Sequence, residues 1–216
     1  MDILDIMKSR HSVRQYTDKK IEDEKRNILN AFAAECNTES GLNIQIIYDE
    51  PTCFNSMMAP YGKFSGCTNY IAIVGKKSKD LQEKAGYYGE KLVLKAQEIG
   101  LNTCWVALTH GKSMAKIEND EKLAIIISLG YGENQGAAHK NKPLSAVCNI
   151  TDESPEWFAK GMEAVMLAPT AMNQQKFKFV LKGDQVEAVS TGGFYSKIDL
   201  GIVKYHFEAV SGHKVN

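Results

Sequence analysis

Seven residues near the N-terminus form the most informative segment of this sequence: Arg10, His11, Ser12, Val13, Arg14, Gln15 and Tyr16. Alternate side chains of an extended segment share one face, so Arg10, Ser12 and Arg14 should point together. His11 and Val13 would lie on the other side. Two guanidinium groups and a hydroxyl on one face suit a phosphate or an electron-rich ring. The alternative is an exposed basic turn after a short helix, because clustered charges are usually solvated.

A second informative segment lies far downstream: Ala168, Pro169, Thr170, Ala171, Met172, Asn173, Gln174 and Gln175. The proline indicates the end of a helix. The residues after it predict a turn of small residues that presents a hydroxyl and amide side chains. Such a turn could hydrogen-bond the edge of a planar heterocycle. The alternative is a plain corner between two helices.

Together with the middle of the chain, the two segments resemble the nitroreductase family of flavin mononucleotide (FMN) enzymes. The Arg-His-Ser-x-Arg-x-Tyr pattern is similar to the family's phosphate- and ribityl-binding start. Residues 89–90 and 96–105 resemble its central helix and the strand that follows. Residues 168–175 resemble its Ala-Pro-Ser-x-x-Asn-x-Gln signature. The resemblance covers most of the chain.

The sequence departs from the family pattern in the position of that signature. In most members it follows the second helix, which here would lie near residues 35–45. The sequence reads Glu-Cys-Asn-Thr-Glu-Ser-Gly over residues 35–41 instead. Its Ala-Pro-x-Ala-x-Asn motif lies late in the chain, as in one subgroup of the family. The displacement leaves the expected fold intact, whereas the substrate class does not follow from the resemblance.

Composition restricts the class of protein. The 216 residues are 44% hydrophobic and 24% charged, as in a soluble globular protein, and we predict a single domain over residues 1–216. The 26 basic and 26 acidic residues balance, which argues against a nucleic-acid or membrane-surface binder. No apolar run approaches the ~18 residues of a membrane span. The acidic N-terminus lacks the apolar core of a signal peptide.

The cysteines indicate a reducing compartment. There are five, widely scattered and without a Cys-x-x-Cys pair, so zinc and thioredoxin-like sites are not expected. Cys104 and Cys148 lie in apolar surroundings and should be buried thiols. We therefore predict a cytoplasmic protein.

Hydrophobic periodicity and turn residues predict the order of the elements. Helices are expected over residues 2–8, 21–36, 53–58, 80–99, 113–118, 155–168 and 196–209, with a capping box from Ser196 to Asp199. Strands are expected over residues 43–48, 69–75, 103–107 and 123–129, with a hairpin over 177–190. The apolar run 123–129 suggests a central strand buried on both faces. Gly86 and Gly89 inside a helix suggest the close approach of another helix or a ligand.

Pattern and resemblance together imply an α+β fold with a central mixed, mainly antiparallel sheet flanked by helices. The resemblance also implies a long central helix in the core of a homodimer. No Gly-x-Gly-x-x-Gly fingerprint follows the first strand, so a nicotinamide would bind transiently and not in a Rossmann crevice.

The resemblance further implies a cofactor site for FMN. Its phosphate and ribityl chain would be held by Arg10, His11 and Ser12, with Arg14 near the N1–C2 carbonyl edge. A loop formed by Leu108, Thr109, His110 and Gly111 would pass over the flavin and direct a backbone N–H at N5. The ring edge would be contacted, from the partner subunit, by Pro169, Thr170, Ala171 and Asn173. No catalytic side chain and no metal are expected, since the flavin carries the reaction.

These expectations lead to an FMN-dependent NAD(P)H oxidoreductase of nitroreductase type. It would transfer hydride in a ping-pong manner through flavin N5 to a nitroaromatic, quinone or similar small molecule. The alternative is a non-catalytic protein of the same fold that stores or senses FMN. A third possibility is an interaction domain without flavin. Reduction of the flavin by NADH or NADPH separates the first two.

Overall fold

Pairs of consecutive strands are separated by helices along the chain. The computed structural model describes residues 2–55 and 59–216. The helices are α1 (Ile3–Ser9), α2 (Asp23–Ser40), α3 (Leu81–Glu98), α4 (Leu144–Val147), α5 (Glu156–Val165) and α6 (Ser196–Ser211). The strands are β1 (Asn43–Ile47), β2 (Asn69–Lys76), β3 (Asn102–Val106), β4 (Glu121–Gly130), β5 (Phe177–Lys182) and β6 (Gln185–Ser190). Short 3₁₀ helices cover Ala59–Gly62 and Ala171–Asn173.

The chain divides into two compact units. The sheet unit comprises Arg10–Leu81 and Lys91–Ala137. The helical unit comprises the residues up to Ser9, Gln82–Glu90 and Ala138–Asn216. Helix α3 contributes residues to both units, and the single domain expected from the sequence stays a prediction.

The sheet unit contains a four-stranded antiparallel sheet in the order β1-β2-β4-β3. Strand β4 is central, and its residues Ile125–Gly130 are buried one after another. This confirms the prediction of a strand covered on both faces, because a half-exposed strand would alternate. The α+β class with a mainly antiparallel sheet is also confirmed.

The segment that carries the two arginines extends alongside edge strand β3. Ser12 forms a parallel bridge with Thr103, and the N–H of Val13 donates to the Thr103 carbonyl at 3.0 Å. Tyr16 fixes the end of the segment, since its buried hydroxyl lies 2.7 Å from both the Val13 carbonyl and the Ser128 hydroxyl. The segment is therefore extended, as its alternating pattern predicts.

In the helical unit, α3 and α6 cross in close contact. A Cβ atom built on Gly86 would lie 2.0 Å from the carbonyl oxygen of Ile198. This confirms that Gly86 permits a close helix approach, and the neighbouring helix belongs to the same chain. Helix α6 also packs on α5 and on the β5–β6 hairpin, where Phe207 stacks on Phe179 with ring centroids 5.3 Å apart.

The predicted helix over residues 113–118 is wrong. The backbone N–H of Met114 donates to the Tyr70 hydroxyl, and that of Ala115 donates to the Ser113 hydroxyl. The N–H of Lys116 donates to the amide oxygen of Gln45. Side-chain acceptors have thus replaced the carbonyls that a helix would use, so Ser113 supports a turn and not a helix cap.

Two further element boundaries need correction. Residues 52–54 form a turn in which the N–H of Phe54 donates to the Pro51 carbonyl, so no helix begins at Cys53. The remainder of that predicted helix, residues 56–58, lies outside the described residues. Helix α2 runs to Ser40, because Gly41 ends it in the left-handed conformation.

Candidate functional site

Three of the predicted cofactor-binding residues, Arg10, Ser12 and Arg14, lie near the thiol of Cys104. Burial raises the pKa of Cys104, while the positive charges of Arg14 and Arg10 and a hydrogen bond with Ser12 act in the opposite direction. Arg10 is only 3% exposed, whereas Arg14 is open to solvent. One side of the segment therefore carries two cations and a hydroxyl, a donor set that fits an anionic group such as a phosphate.

His11 lies on the other side of the segment. A Cβ atom built on Gly136 would lie 2.8 Å from the Cβ of His11, and one on Gly132 would lie 2.7 Å from Val13. His11 and Val13 thus pack against residues 132–136. The structure does not bring the His11 side chain to the arginine side.

Hydrogen bonds fix the backbone around Arg14, whereas its side chain is exposed. Its carbonyl accepts a hydrogen bond from the N–H of Ser65 at 3.1 Å, and the N–H of Tyr16 donates to the Ser65 carbonyl at 3.0 Å. The amide of Gln15 donates to the Lys63 carbonyl at 2.7 Å. The guanidinium therefore projects from a fixed backbone, which is what a positioned cation requires.

The predicted flavin loop follows β3 in the same unit. Leu108 is 68% exposed, and Thr109 lies beside Gly62, where a Cβ atom would approach the Thr109 hydroxyl to 2.4 Å. The N–H of Gly111 donates to the Cys53 carbonyl at 2.7 Å. The Nδ1–H of His110 donates to its neighbour's carbonyl. The Gly111 N–H is thus already used, and residues 108–110 remain as the candidate donors to a flavin.

The late motif forms a surface turn in the helical unit. Met172 is 82% exposed, and three residues of the turn other than glycine have positive φ angles: Met172 (51°), Asn173 (53°) and Gln175 (44°). The left-handed region is uncommon for such residues, so the surrounding structure must stabilise this conformation.

Internal hydrogen bonds hold the amides of the turn. The Asn173 side chain donates to the Lys140 carbonyl and accepts from Gln175, each at 2.8 Å. The Thr170 hydroxyl accepts the N–H of Gln175 at 3.1 Å, which leaves its own O–H to donate. Lys142 donates to the Gln174 carbonyl at 2.7 Å. Asn173 is therefore largely committed within the chain, and Thr170 is the more available polar side chain.

Asp199, in the first turn of α6, contacts this turn, and its role was not predicted from the sequence. The expected capping box of α6 is wrong, since the helix begins after Tyr195 without a side-chain cap. The Asp199 carboxylate instead accepts the N–H of Ala171 at 2.9 Å and the amide of Gln174 at 2.7 Å. The only sequence signal was the acidic residue itself, which also fits a cap.

Other candidate chemistry is limited in the described residues. Within 2–55 and 59–216, no group of three or more His, Cys, Asp and Glu side chains is arranged to hold a metal ion. All five cysteines are free and buried, which confirms the prediction for Cys104 and Cys148. In the same ranges, no helix has the length and apolar character needed to cross a membrane. A shallow groove on α2 contains none of the predicted site residues.

The chain belongs to a nitroreductase family. The family described as "Putative TM nitroreductase" matches residues 2–211, which is nearly the whole chain. Among curated proteins, none matches this sequence.

Solved structures share the fold. One, described as a "putative nitroreductase" of Thermotoga maritima MSB8, has a TM-score of 0.71 at 24% identity over 97% of this chain and 83% of its own. A Desulfovibrio desulfuricans protein described in the same words, in complex with FMN, has a TM-score of 0.53 at 16% identity over 71% and 96%. A Bacteroides thetaiotaomicron protein described as "Putative NADH dehydrogenase/NAD(P)H nitroreductase" has a TM-score of 0.53 at 19% identity over 67% and 95%.

Proposed function

We propose that this protein binds FMN and acts as an FMN-dependent NAD(P)H oxidoreductase of nitroreductase type. The observation that carries the proposal is the common side formed by Arg10, Ser12 and Arg14 beside β3, in a chain of the nitroreductase family. The FMN bound to one fold neighbour and the NAD(P)H named for another support the choice of cofactor and reductant.

The residues of the sheet unit would bind and orient the cofactor. Arg10 and Ser12 would hold the phosphate and ribityl chain with their side chains, His11 would contribute through its backbone, and Arg14 would face the N1–C2 carbonyl edge. FMN would supply the redox chemistry, a hydride transfer through N5 from NADH or NADPH to a nitroaromatic, quinone or similar acceptor. A fixed cation at the N1–C2 edge stabilises the negative charge of the reduced ring.

The remaining contacts come from the two loops. Leu108, Thr109, His110 and Gly111 would lie over the ring, with an N–H of residues 108–110 directed at N5. Pro169, Thr170, Ala171 and Asn173 would contact the ring edge from the partner subunit of a homodimer. The high exposure of Met172 supports a turn that faces outward. The cytoplasmic location expected from the cysteines belongs to the same proposal.

The test uses the purified protein, its visible spectrum and anaerobic addition of NADH or NADPH. Flavin absorbance that bleaches on addition supports the oxidoreductase. Flavin that is bound and stays oxidised with both nucleotides overturns the catalytic part and favours the storage or sensing protein. A protein that takes up no FMN overturns the proposal as a whole.

Two variants localise the effect. Arg14→Ala should slow flavin reduction about tenfold and lower the flavin midpoint potential, since the stabilising cation is lost. Lys20→Ala removes an exposed cation from the same unit and should leave both values unchanged. Equal effects of the two substitutions would contradict the assigned role of Arg14.

A further inference from the structure

Two unfavourable features meet at the turn that carries Thr170 and Asn173. The first is the set of left-handed φ angles at Met172, Asn173 and Gln175. The second is a carboxylate, Asp199, that is 2% exposed in the first turn of α6. Each costs free energy on its own, and such costs cluster where function requires a defined conformation.

The hydrogen bonds of the Asp199 carboxylate both hold this turn. One carboxylate oxygen accepts the backbone N–H of Ala171 at 2.9 Å, and the other accepts the side-chain amide of Gln174 at 2.7 Å. The same Gln174 nitrogen donates to the Phe194 carbonyl at 2.8 Å. The two ends of the turn are thereby tied to the start of α6.

The titration of Asp199 agrees with a role other than stabilising the fold. Burial raises the pKa of its carboxyl, and the hydrogen bonds from Ala171 and Gln174 only partly oppose that shift. A carboxyl whose folded-state pKa is raised lowers stability most above that pKa, and the penalty declines through it and is lost below the unfolded-state pKa. In its ionised form, Asp199 therefore orders the turn at the expense of the fold.

We infer that Asp199 is a positioning residue that, through Ala171 and Gln174, holds the 170–173 turn in the conformation that contacts the flavin ring edge. The inference rests on the proposed function, because it needs a bound flavin for the turn to contact. Asp199 acts through its neighbours and does not itself touch the reacting atoms. The charge on its carboxylate matters because charge-assisted hydrogen bonds are about twice as strong as neutral ones.

The test compares Asp199→Asn with wild type. The oxygen of the introduced amide can still accept from Ala171, but its NH₂ group would face the NH₂ group of Gln174. We expect hydrogen exchange of residues 170–175 to become about tenfold faster, and FMN to bind about tenfold more weakly. The absorption maximum of the bound flavin should shift, and the melting temperature of the flavin-free protein should not fall. A merely structural residue would lower the melting temperature and leave the spectrum unchanged.

A rescue and a control complete the design. Adding Gln174→Glu to Asp199→Asn lets the introduced Asn amide donate to the introduced Glu carboxylate, although the bond to the Phe194 carbonyl is lost. The double variant should therefore recover slow exchange and FMN affinity in part, to within about threefold of wild type. Asp184→Asn removes the same charge from the exposed hairpin turn and should change nothing. If Asp199→Asn does not fold, Gln174→Ala tests the same anchor from a half-buried position.

The outcomes separate the two proposals. Wild type that binds FMN, with an Asp199→Asn variant unchanged in exchange, affinity and spectrum, overturns the positioning role alone. Wild type that takes up no FMN overturns the proposed function and the flavin contact together. The exchange comparison then still decides whether Asp199 holds the turn.

Discussion

Gly86 in α3 and Ile198 in α6 are so close that a Cβ atom on the glycine would lie 2.0 Å from the isoleucine carbonyl oxygen. The contact is reciprocal, because a Cβ on Gly201 would lie 2.0 Å from the Glu83 carbonyl oxygen. Both obstacles are backbone atoms, which cannot rotate away. The crossing of these helices therefore depends on the absence of side chains at both positions.

Replacing Gly86 with alanine should destabilise the protein by about 2 kcal/mol or more, because overpacking against backbone exceeds the ~1 kcal/mol that alanine gains in a helix. Urea unfolding measures the change. Gly41→Ala is the matched control, since nothing lies within 4 Å of its Cβ position and only its left-handed φ of 71° opposes the substitution. A Gly86→Ala loss no larger than that of the control would contradict the close contact.

A buried imidazole and carboxylate link α6 to α3. His206 Nε2 lies 2.9 Å from Glu90 Oε1 with both side chains fully buried, and its Nδ1–H donates to the Ala164 carbonyl. His206→Phe should cost about 3 kcal/mol, because both hydrogen bonds are lost in a dry environment. Glu90→Gln should cost less than half as much, since the amide keeps a hydrogen-bonding group opposite Nε2. Chemical denaturation of both variants measures the two losses, and equal losses would show that the amide does not replace the carboxylate.

The Tyr16 hydroxyl should contribute to the stability of the arginine segment. Removing it in Tyr16→Phe leaves the Val13 carbonyl and the Ser128 hydroxyl without this partner and should cost about 1–2 kcal/mol. Tyr61→Phe, at an exposed tyrosine, should stay within about 0.5 kcal/mol of wild type. Thermal unfolding of the Tyr16→Phe, Ser128→Ala and double variants should give a coupling of at least about 0.5 kcal/mol. Additive losses would show that the two hydroxyls act independently.

Stability should fall as the pH rises above 9. Burial raises the pKa of Cys36 and Cys53 to about 11 and that of Cys67 to about 12, against 9.0 for an open thiol. Between these values the unfolded chain has lost protons that the folded chain keeps, so each thiol favours unfolding by up to about 1.4 kcal/mol per pH unit.

Urea unfolding at pH 8.0, 9.5 and 10.5 measures how steeply the free energy of unfolding falls with pH. Cys67→Ala should reduce this slope by the equivalent of about one released proton. Alkylation at pH 8.0 gives a second measurement, in which the native thiols should react only on unfolding. A stability that does not change with pH across this range would show that the thiols are not buried as described.

Local patterns predicted the regular elements well. The apolar run of β4, the hairpin over residues 177–190 and the helix expected over residues 80–99 each depend on neighbours a few residues away. The failures share a different cause. The 113–118 segment is not helical because Tyr70 and Gln45, distant in the sequence, supply acceptors for its N–H groups. Periodicity within a short window does not contain such partners.

In the candidate site, too, the features that depend on local pattern were predicted, whereas the contacts between distant residues were not. The common side of Arg10, Ser12 and Arg14 follows from the two-residue repeat of an extended chain, so the sequence was sufficient. Asp199 fits a capping box equally well, and only the fold shows that its carboxylate turns to Ala171. The internal bonds of Asn173 were also not foreseeable, because the Lys140 carbonyl lies roughly thirty residues earlier in the chain.

The pairing of Ser12 with Thr103 also has a kinetic consequence. It closes a loop of roughly ninety residues, and the entropy of closing such a loop is recovered only after the intervening strands are in place. The arginine side therefore forms late in folding, although its residues are synthesised first. A nascent chain that ends before β3 lacks the Thr103 partner of this segment, so the proposed flavin site would be completed only after the sheet has folded.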